Sequence, residues 1–162
     1  SIRQTPPTKI FPRLLLMSHV SYAITAWGGC PEQQMTSILR LQKRGIRYVM
    51  GLKRNESCRA VFRNSGLLTA PAIYIYKCIL HLEKVPCPHP AHQYVTRKRG
   101  ALKQEAHRTS TFERNSPYFQ GVRFFRALPN ELQKLFGGNA FQGRLKKHLI
   151  DKAPYKLTDF VG

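Results

Sequence analysis

The segment Met35 to Gly51, MTSILRLQKRGIRYVMG, reads as an amphipathic helix. At about 100° per residue, Met35, Ile38, Leu39, Leu41, Gly45, Ile46, Tyr48, Val49 and Met50 fall on one broad apolar side. Arg40, Lys43, Arg44 and Arg47 recur at spacings of three and four on the other. No acidic residue interrupts that basic side. Gly51 suits the position just past a helix end, and cations near that end suit the helix dipole. Such a helix needs a core against one side and leaves a row of cations on the other. Taken alone, the row is either a solvated face or an anion-binding one.

Composition bears on that choice. Lys and Arg total 27 against 8 Asp and Glu, a formal charge of +19 over 162 residues. Charge of one sign disfavours compaction, and a polyanion relieves it. Nucleic acid is the commonest such partner and an anionic membrane surface the second. The chain is 42% hydrophobic, enough for one domain with a real core, and its cations are spread along it. Cys30, Cys58, Cys78 and Cys87 contain no CxxC pair, which favours reduced thiols in an intracellular protein of the nucleus or cytoplasm. The lead SIRQTPPTK has no initiating methionine and reads as the start of a fragment or processed piece. Leu14 to Pro31 carries no Asp, Glu, Lys or Arg. Ser18, His19, Ser21, Tyr22 and Thr25 interrupt it, and Gly28-Gly29 ends it short of the about 20 apolar residues a spanning helix needs. No membrane association is expected.

The pattern predicts an all-α, multi-helix domain with one long irregular connector. Residues 1–8 form an irregular lead. Residues 9–85 form a helical region with a first, buried helix from about Lys9 to Trp27, paired with the striped helix. Lys53-Arg54-Asn55 is a basic turn, and Asn55 is the expected cap of a short helix from Glu56 to about Asn64 that Gly66 ends. Thr69 is the expected cap of a helix from Pro71 to Lys84. Residues 86–114 form a basic connector containing Arg97, Lys98 and Arg99, with room for a short strand near Tyr94. In 115–162, Ser116-Pro117 opens a helix to about Ala127 and Pro129 starts the short turn NELQKL. Gly137-Gly138 breaks the chain, and Asn139 is the expected cap of a last helix from Ala140 to Lys152. That helix carries Arg144, Lys146 and Lys147 opposite its apolar side. Thr158-Asp159-Phe160 reads as a tail.

Catalytic patterns are missing. The carboxylates Glu32, Glu56, Glu83, Glu105, Glu113, Glu131, Asp151 and Asp159 form no adjacent pair, whereas two-metal phosphoryl transfer needs clustered ones. No P-loop, GxGxxG, HExxH or GxSxG occurs, so no enzyme activity and no cofactor is expected. Cys87, His89 and His92, with Cys78 and His81 upstream, do not make the two spaced pairs of structural zinc, and no metal is expected. Four basic sites remain: the stripe, the Lys53-Arg54 turn, Arg97-Lys98-Arg99, and the Arg144/Lys146/Lys147 face. Tyr48 and Tyr94 lie beside two of them, where each can stack on a base or simply pack. With no RRM, KH or zinc-finger signature, backbone contact with a duplex or structured RNA fits better than base reading.

Seven short motifs follow in one order over Ser21 to Leu149. Ser21-Tyr22-Ala23 through Ala26-Trp27-Gly28 resembles LSYGILAWG. Leu41 to Arg47 resembles LQKRAIRII, and Glu56-Ser57-Cys58-Arg59 with Phe62 resembles ESCRxxF. Leu68 to Pro71 with Tyr74-Ile75-Tyr76 resembles ILTLPSLYIY. His92-Gln93-Tyr94 with Thr96-Arg97 resembles HxYxTR. Ser116-Pro117-Tyr118, Gly121 and Leu128-Pro129 resemble SPxYxGxxxxNxLP, and Phe141, Leu145-Lys146 and Leu149 resemble FxxxLKxxL. Together they resemble the C-terminal, thumb and post-thumb, part of reverse transcriptases from non-LTR, jockey-type LINE retrotransposons. Gly45 departs from the usual alanine and Ala127 from the usual asparagine. The resemblance implies a non-catalytic fragment whose intact parent is an RNA-directed DNA polymerase with its palm and aspartate pair upstream. It implies template–primer or element RNA as ligand, gripped by the stripe helix, and the upstream polymerase domains as partners. The alternatives are a helical protein-interaction module with a basic face, and a truncated relic with no function of its own.

Overall fold

The computed structural model describes residues 32–84 and 116–161, together with Ser18 and Tyr22. The first helix expected near Lys9 to Trp27 and the 86–114 connector fall almost wholly outside these residues. Only Ser18 and Tyr22 are described there, both helical and both exposed. Among the described residues the secondary structure is helical, with no strand.

Within residues 32–84 and 116–161, seven helices follow in order: α1 (Glu32–Met50), α2 (Arg59–Asn64), α3 (Ala70–Lys84), α4 (Pro117–Arg126), α5 (Asn130–Lys134), α6 (Phe141–Lys152) and α7 (Thr158–Val161). Several ends are set by local chemistry visible in the sequence. Gly51, Gly66 and Gly137 all adopt positive φ, which a glycine takes at no steric cost, just past α1, α2 and α5. The Ser116 hydroxyl accepts from the Phe119 amide at 3.3 Å, and Pro117 occupies the first turn of α4. The Thr69 hydroxyl accepts from the Ala72 amide at 3.3 Å and caps α3.

Three local expectations need correction. The helix after α1 begins at Arg59 and not at Glu56, because the Glu56 carboxylate instead accepts the Lys53 amide at 2.8 Å and closes the preceding turn. Asn139 is not the cap of α6. Ala140 holds that position without a side-chain bond. The C-terminal tail is a helical turn whose Phe160 is buried.

α3 is the centre of the fold. Ala70 to Ile75, Cys78, Ile79 and Leu82 are all buried on it, and it packs on α1, α4 and α6. One core joins Met35 and Leu39 of α1 with Ile73, Ile75 and Ile79 of α3, Phe124 of α4, Phe141, Leu145 and Leu149 of α6, and Phe160. The helical regions on either side of the connector therefore share this core. A second cluster of Ile46, Cys58 and Phe62 lies between α1 and α2. Tyr155 and the partly buried Met50, Leu52, Val61 and Leu67 pack against it.

Two buried polar residues tie the elements together. Gln42, fully buried on α1, donates to the Leu68 carbonyl at 2.9 Å and accepts from the Ala70 amide at 2.8 Å. Thr69 donates its hydroxyl hydrogen to the Pro154 carbonyl at 2.6 Å. Buried backbone groups need such partners, since an unpaired one costs about 1–3 kcal/mol.

Candidate nucleic-acid interface

The core-facing residues of α1 are Met35, Leu39, Gln42 and Ile46, a spacing of four, three and four. Four cations spread over about 100° of a helix cannot all stand opposite such a line. Arg40 and Arg44 do, and are exposed. Lys43 and Arg47 sit on the flank nearest α2 and are half-buried. The tertiary structure thus splits the stripe that the sequence reads as one face.

The outward face differs from the expected one in another way. Leu41 and Tyr48, read from the sequence as part of the apolar side, are 62% and 92% exposed. They lie more than a quarter-turn from the core line, so the true apolar side is narrower than the list of apolar residues suggested. Tyr48 follows Arg44 by four residues and Arg40 by eight, so the three stand in one row along α1. An aromatic ring that touches so little of its own chain is available to stack.

The flank cations are engaged. The Lys43 ammonium lies 3.6 Å from the centre of the Tyr155 ring, a cation–π contact. The Arg59 guanidinium lies 4.5 Å from the same centre. Arg47 donates from Nη2 to the Glu56 carbonyl at 3.2 Å. Burial lowers the Lys43 ammonium below its ordinary range, and Arg47, Arg59 and Arg40 lower it further, against a raising contribution from Cys58. Burial also raises the Tyr155 phenol, so its ring is neutral near pH 7.

Lys53 and Arg54 are exposed on the turn after α1. Arg144, Lys146 and Lys147 are exposed on α6, opposite Phe141, Leu145 and Leu149, which are fully buried. Arg97, Lys98, Arg99 and Tyr94 lie outside the described residues. Among those described, no three His, Cys, Asp or Glu side chains gather in a way that would hold a metal ion. Cys78 is buried while His81, a turn away, is exposed. No described helix is long and apolar enough to cross a membrane.

Arg59 and Tyr155 are the residues that sequence reading missed. Arg59 enters the sequence pattern only as the last letter of ESCR, and nothing periodic marks Tyr155 after Pro154. Gln42 did have a signal, its place in the 35–39–42–46 spacing, which its polarity masked.

No family model, curated protein or solved structure matches the chain.

Proposed function

We propose that this chain is a non-catalytic, nucleic-acid-binding part of a retroelement reverse transcriptase, which grips template–primer duplex or element RNA by its backbone. The observation that carries the binding role is the row Arg40, Arg44 and Tyr48 on the outward face of α1, with Tyr48 92% exposed. Cations neutralise phosphates, and a free aromatic ring stacks on an unpaired base at a duplex end or junction. The retroelement assignment rests on the seven ordered motifs. In that setting the upstream polymerase domains of the parent are the intramolecular partners. Lys53, Arg54, Arg144, Lys146 and Lys147 add exposed cations on two further elements.

Binding of the full chain to an RNA/DNA duplex with a single-stranded overhang, followed by fluorescence anisotropy across a salt series, tests this. If the two outward α1 cations, Arg40 and Arg44, each neutralise a phosphate, the log–log salt slope carried by that row is about −2. Arg40→Gln with Arg44→Gln should flatten the slope by about 2, and Tyr48→Ala should weaken binding with the slope unchanged. Binding that ignores all three substitutions removes the outward row of α1 from the interface.

A second reading draws on Leu41, whose 62% exposure gives the same face an apolar element. On that reading the face meets an acidic protein. It predicts that Leu41→Ser abolishes binding to the partner and leaves RNA affinity untouched.

A further inference from the structure

Two like charges meet on one aromatic ring at the junction of α1, α2 and the segment after α6, with a third, Arg47, nearby. Lys43 and Arg59 stand 3.6 Å and 4.5 Å from the centre of the Tyr155 ring. Their separation is at most about 8 Å, and it is shorter wherever the two cations are not directly across the ring centre from one another; one tetrahedral oxyanion spans such a pair around the ring edge through two charge-assisted hydrogen bonds of about 2.8 Å. Arg47 acts electrostatically on both Lys43 and Tyr155. Its Nη2 is used on the Glu56 carbonyl, while its buried Nε has no hydrogen-bond partner. Among the described residues, no aspartate or glutamate is among the charges acting on Lys43 or Tyr155. The nearby Glu56 carboxylate is turned to the Lys53 amide.

The ring that gathers these charges is held in place. Phe62 packs edge-on against it with centroids 6.4 Å apart. The Asp159 carboxylate accepts from the Tyr155 and Lys156 amides at 3.1 and 3.2 Å, fixing the turn that carries it. Cation–π contacts of this kind are weak and do not cancel the mutual repulsion of converging cations. An anion does. Arg59 is exposed and Lys43 half-buried, so the charged ends face a ligand arriving from solvent.

We infer that Lys43 and Arg59, arrayed on the Tyr155 ring with Arg47 adding its charge beside them, form a seat for a single phosphate group, filled in use by one backbone phosphate of the bound nucleic acid. The seat is separate from the outward row of α1, and the identity of its ligand rests on the nucleic-acid reading. Arg and Lys serve it differently. The exposed Arg59 guanidinium offers forked donors that fix the phosphate's orientation, while Lys43 supplies a point charge and Arg47 adds to the local positive field.

A double-mutant cycle on the full chain tests the seat, with Lys43→Gln, Arg59→Gln and both together, read by duplex RNA affinity against salt. Arg59 is exposed and its substitution is not expected to disturb folding, which circular dichroism checks. Arg59→Lys is a second variant that keeps the charge. One shared phosphate predicts strongly non-additive losses: each single change weakens binding several-fold and flattens the salt slope by about 1, and the double change adds little. Arg59→Lys should retain the slope and part of the affinity. Additive losses, or none, overturn the seat while leaving the nucleic-acid reading intact. Inorganic phosphate, titrated in thermal melts, separates the two ideas. If the wild-type chain binds no RNA, yet phosphate raises its melting midpoint and fails to do so in Arg59→Gln, the seat stands and the nucleic-acid reading falls. If RNA is not bound and phosphate has no effect, both fall.

Discussion

Gly121 on α4 approaches Cys78 on α3 so closely that a Cβ at position 121 would lie 2.5 Å from the Cys78 carbonyl oxygen and 3.0 Å from the Leu82 side chain. Among the described helices the α3–α4 crossing is the most extensive contact, and it closes on this absent side chain. Gly121→Ala gains up to about 1 kcal/mol of helix propensity but forces the two helices apart, so a net loss of about 2 kcal/mol is expected. In a chain of this size that lowers the melting midpoint by several degrees. Gly143 on α6 is the control, because a Cβ there meets nothing within 4 Å. Gly143→Ala should leave the midpoint unchanged or raise it. Calorimetry on the two variants checks both signs.

Gln42 bonds the Leu68 carbonyl and the Ala70 amide at once, where α1 meets the start of α3. Gln42→Leu fills much the same volume but strands both backbone groups away from water. The expected loss is about 2–4 kcal/mol, measured by urea unfolding. Gln42→Glu should behave conditionally. A protonated Glu can still donate to the Leu68 carbonyl, and burial raises its folded pKa. The variant should therefore recover stability as the pH falls through that raised pKa, relative to wild type at each pH.

His148 lies half-buried with its ring 6.3 Å from that of Phe160. Burial holds its pKa below 6.5, Lys152 lowers it further, and Asp151 opposes them. The unfolded chain then takes up this proton at a higher pH than the folded one. The contribution to stability is complete above about pH 6.5 and is lost as the pH falls from there through the lowered folded pKa. His148→Gln should flatten that part of the stability–pH curve. An unchanged curve would mean that His148 titrates alike in the folded and unfolded chain.

The Cys78 thiol is pushed up to about 12 by burial, against a lowering hydrogen bond with Tyr74. In the folded protein it remains protonated at pH 8 and inert to thiol reagents. In a chain with Cys30 and Cys87 changed to Ser and Cys58 changed to Ala, labelling of Cys78 should track global unfolding. Above about pH 9 the unfolded thiol ionises while the folded one does not, so stability falls with rising pH, and Cys78→Ala should remove that loss. Rapid labelling of native protein at pH 8 would show that α3 and α4 open locally.

What the sequence determined by itself is the set of features that depend on residues within a turn or two of each other. The all-α class, the amphipathic character of α1, the caps at Ser116 and Thr69, and the glycine stops at Gly51, Gly66 and Gly137 are of this kind. Each follows from helix periodicity, a side-chain oxygen reaching an amide two or three residues on, or a φ that only glycine takes freely. The direction of each face was decided by tertiary structure. Which part of a 100° basic stripe meets solvent depends on where α2 and Tyr155 lie, and Tyr155 is more than 100 residues from Lys43. Hence Arg40 and Arg44 point outward with Tyr48, while Lys43 turns to an aromatic ring that no local pattern links to it. The same holds for Gln42, Phe160 and the pairing of Thr69 with Pro154. Core packing assigns these residues their partners because buried polar groups and apolar side chains take whichever neighbour the folded chain brings, and sequence spacing carries no record of that choice.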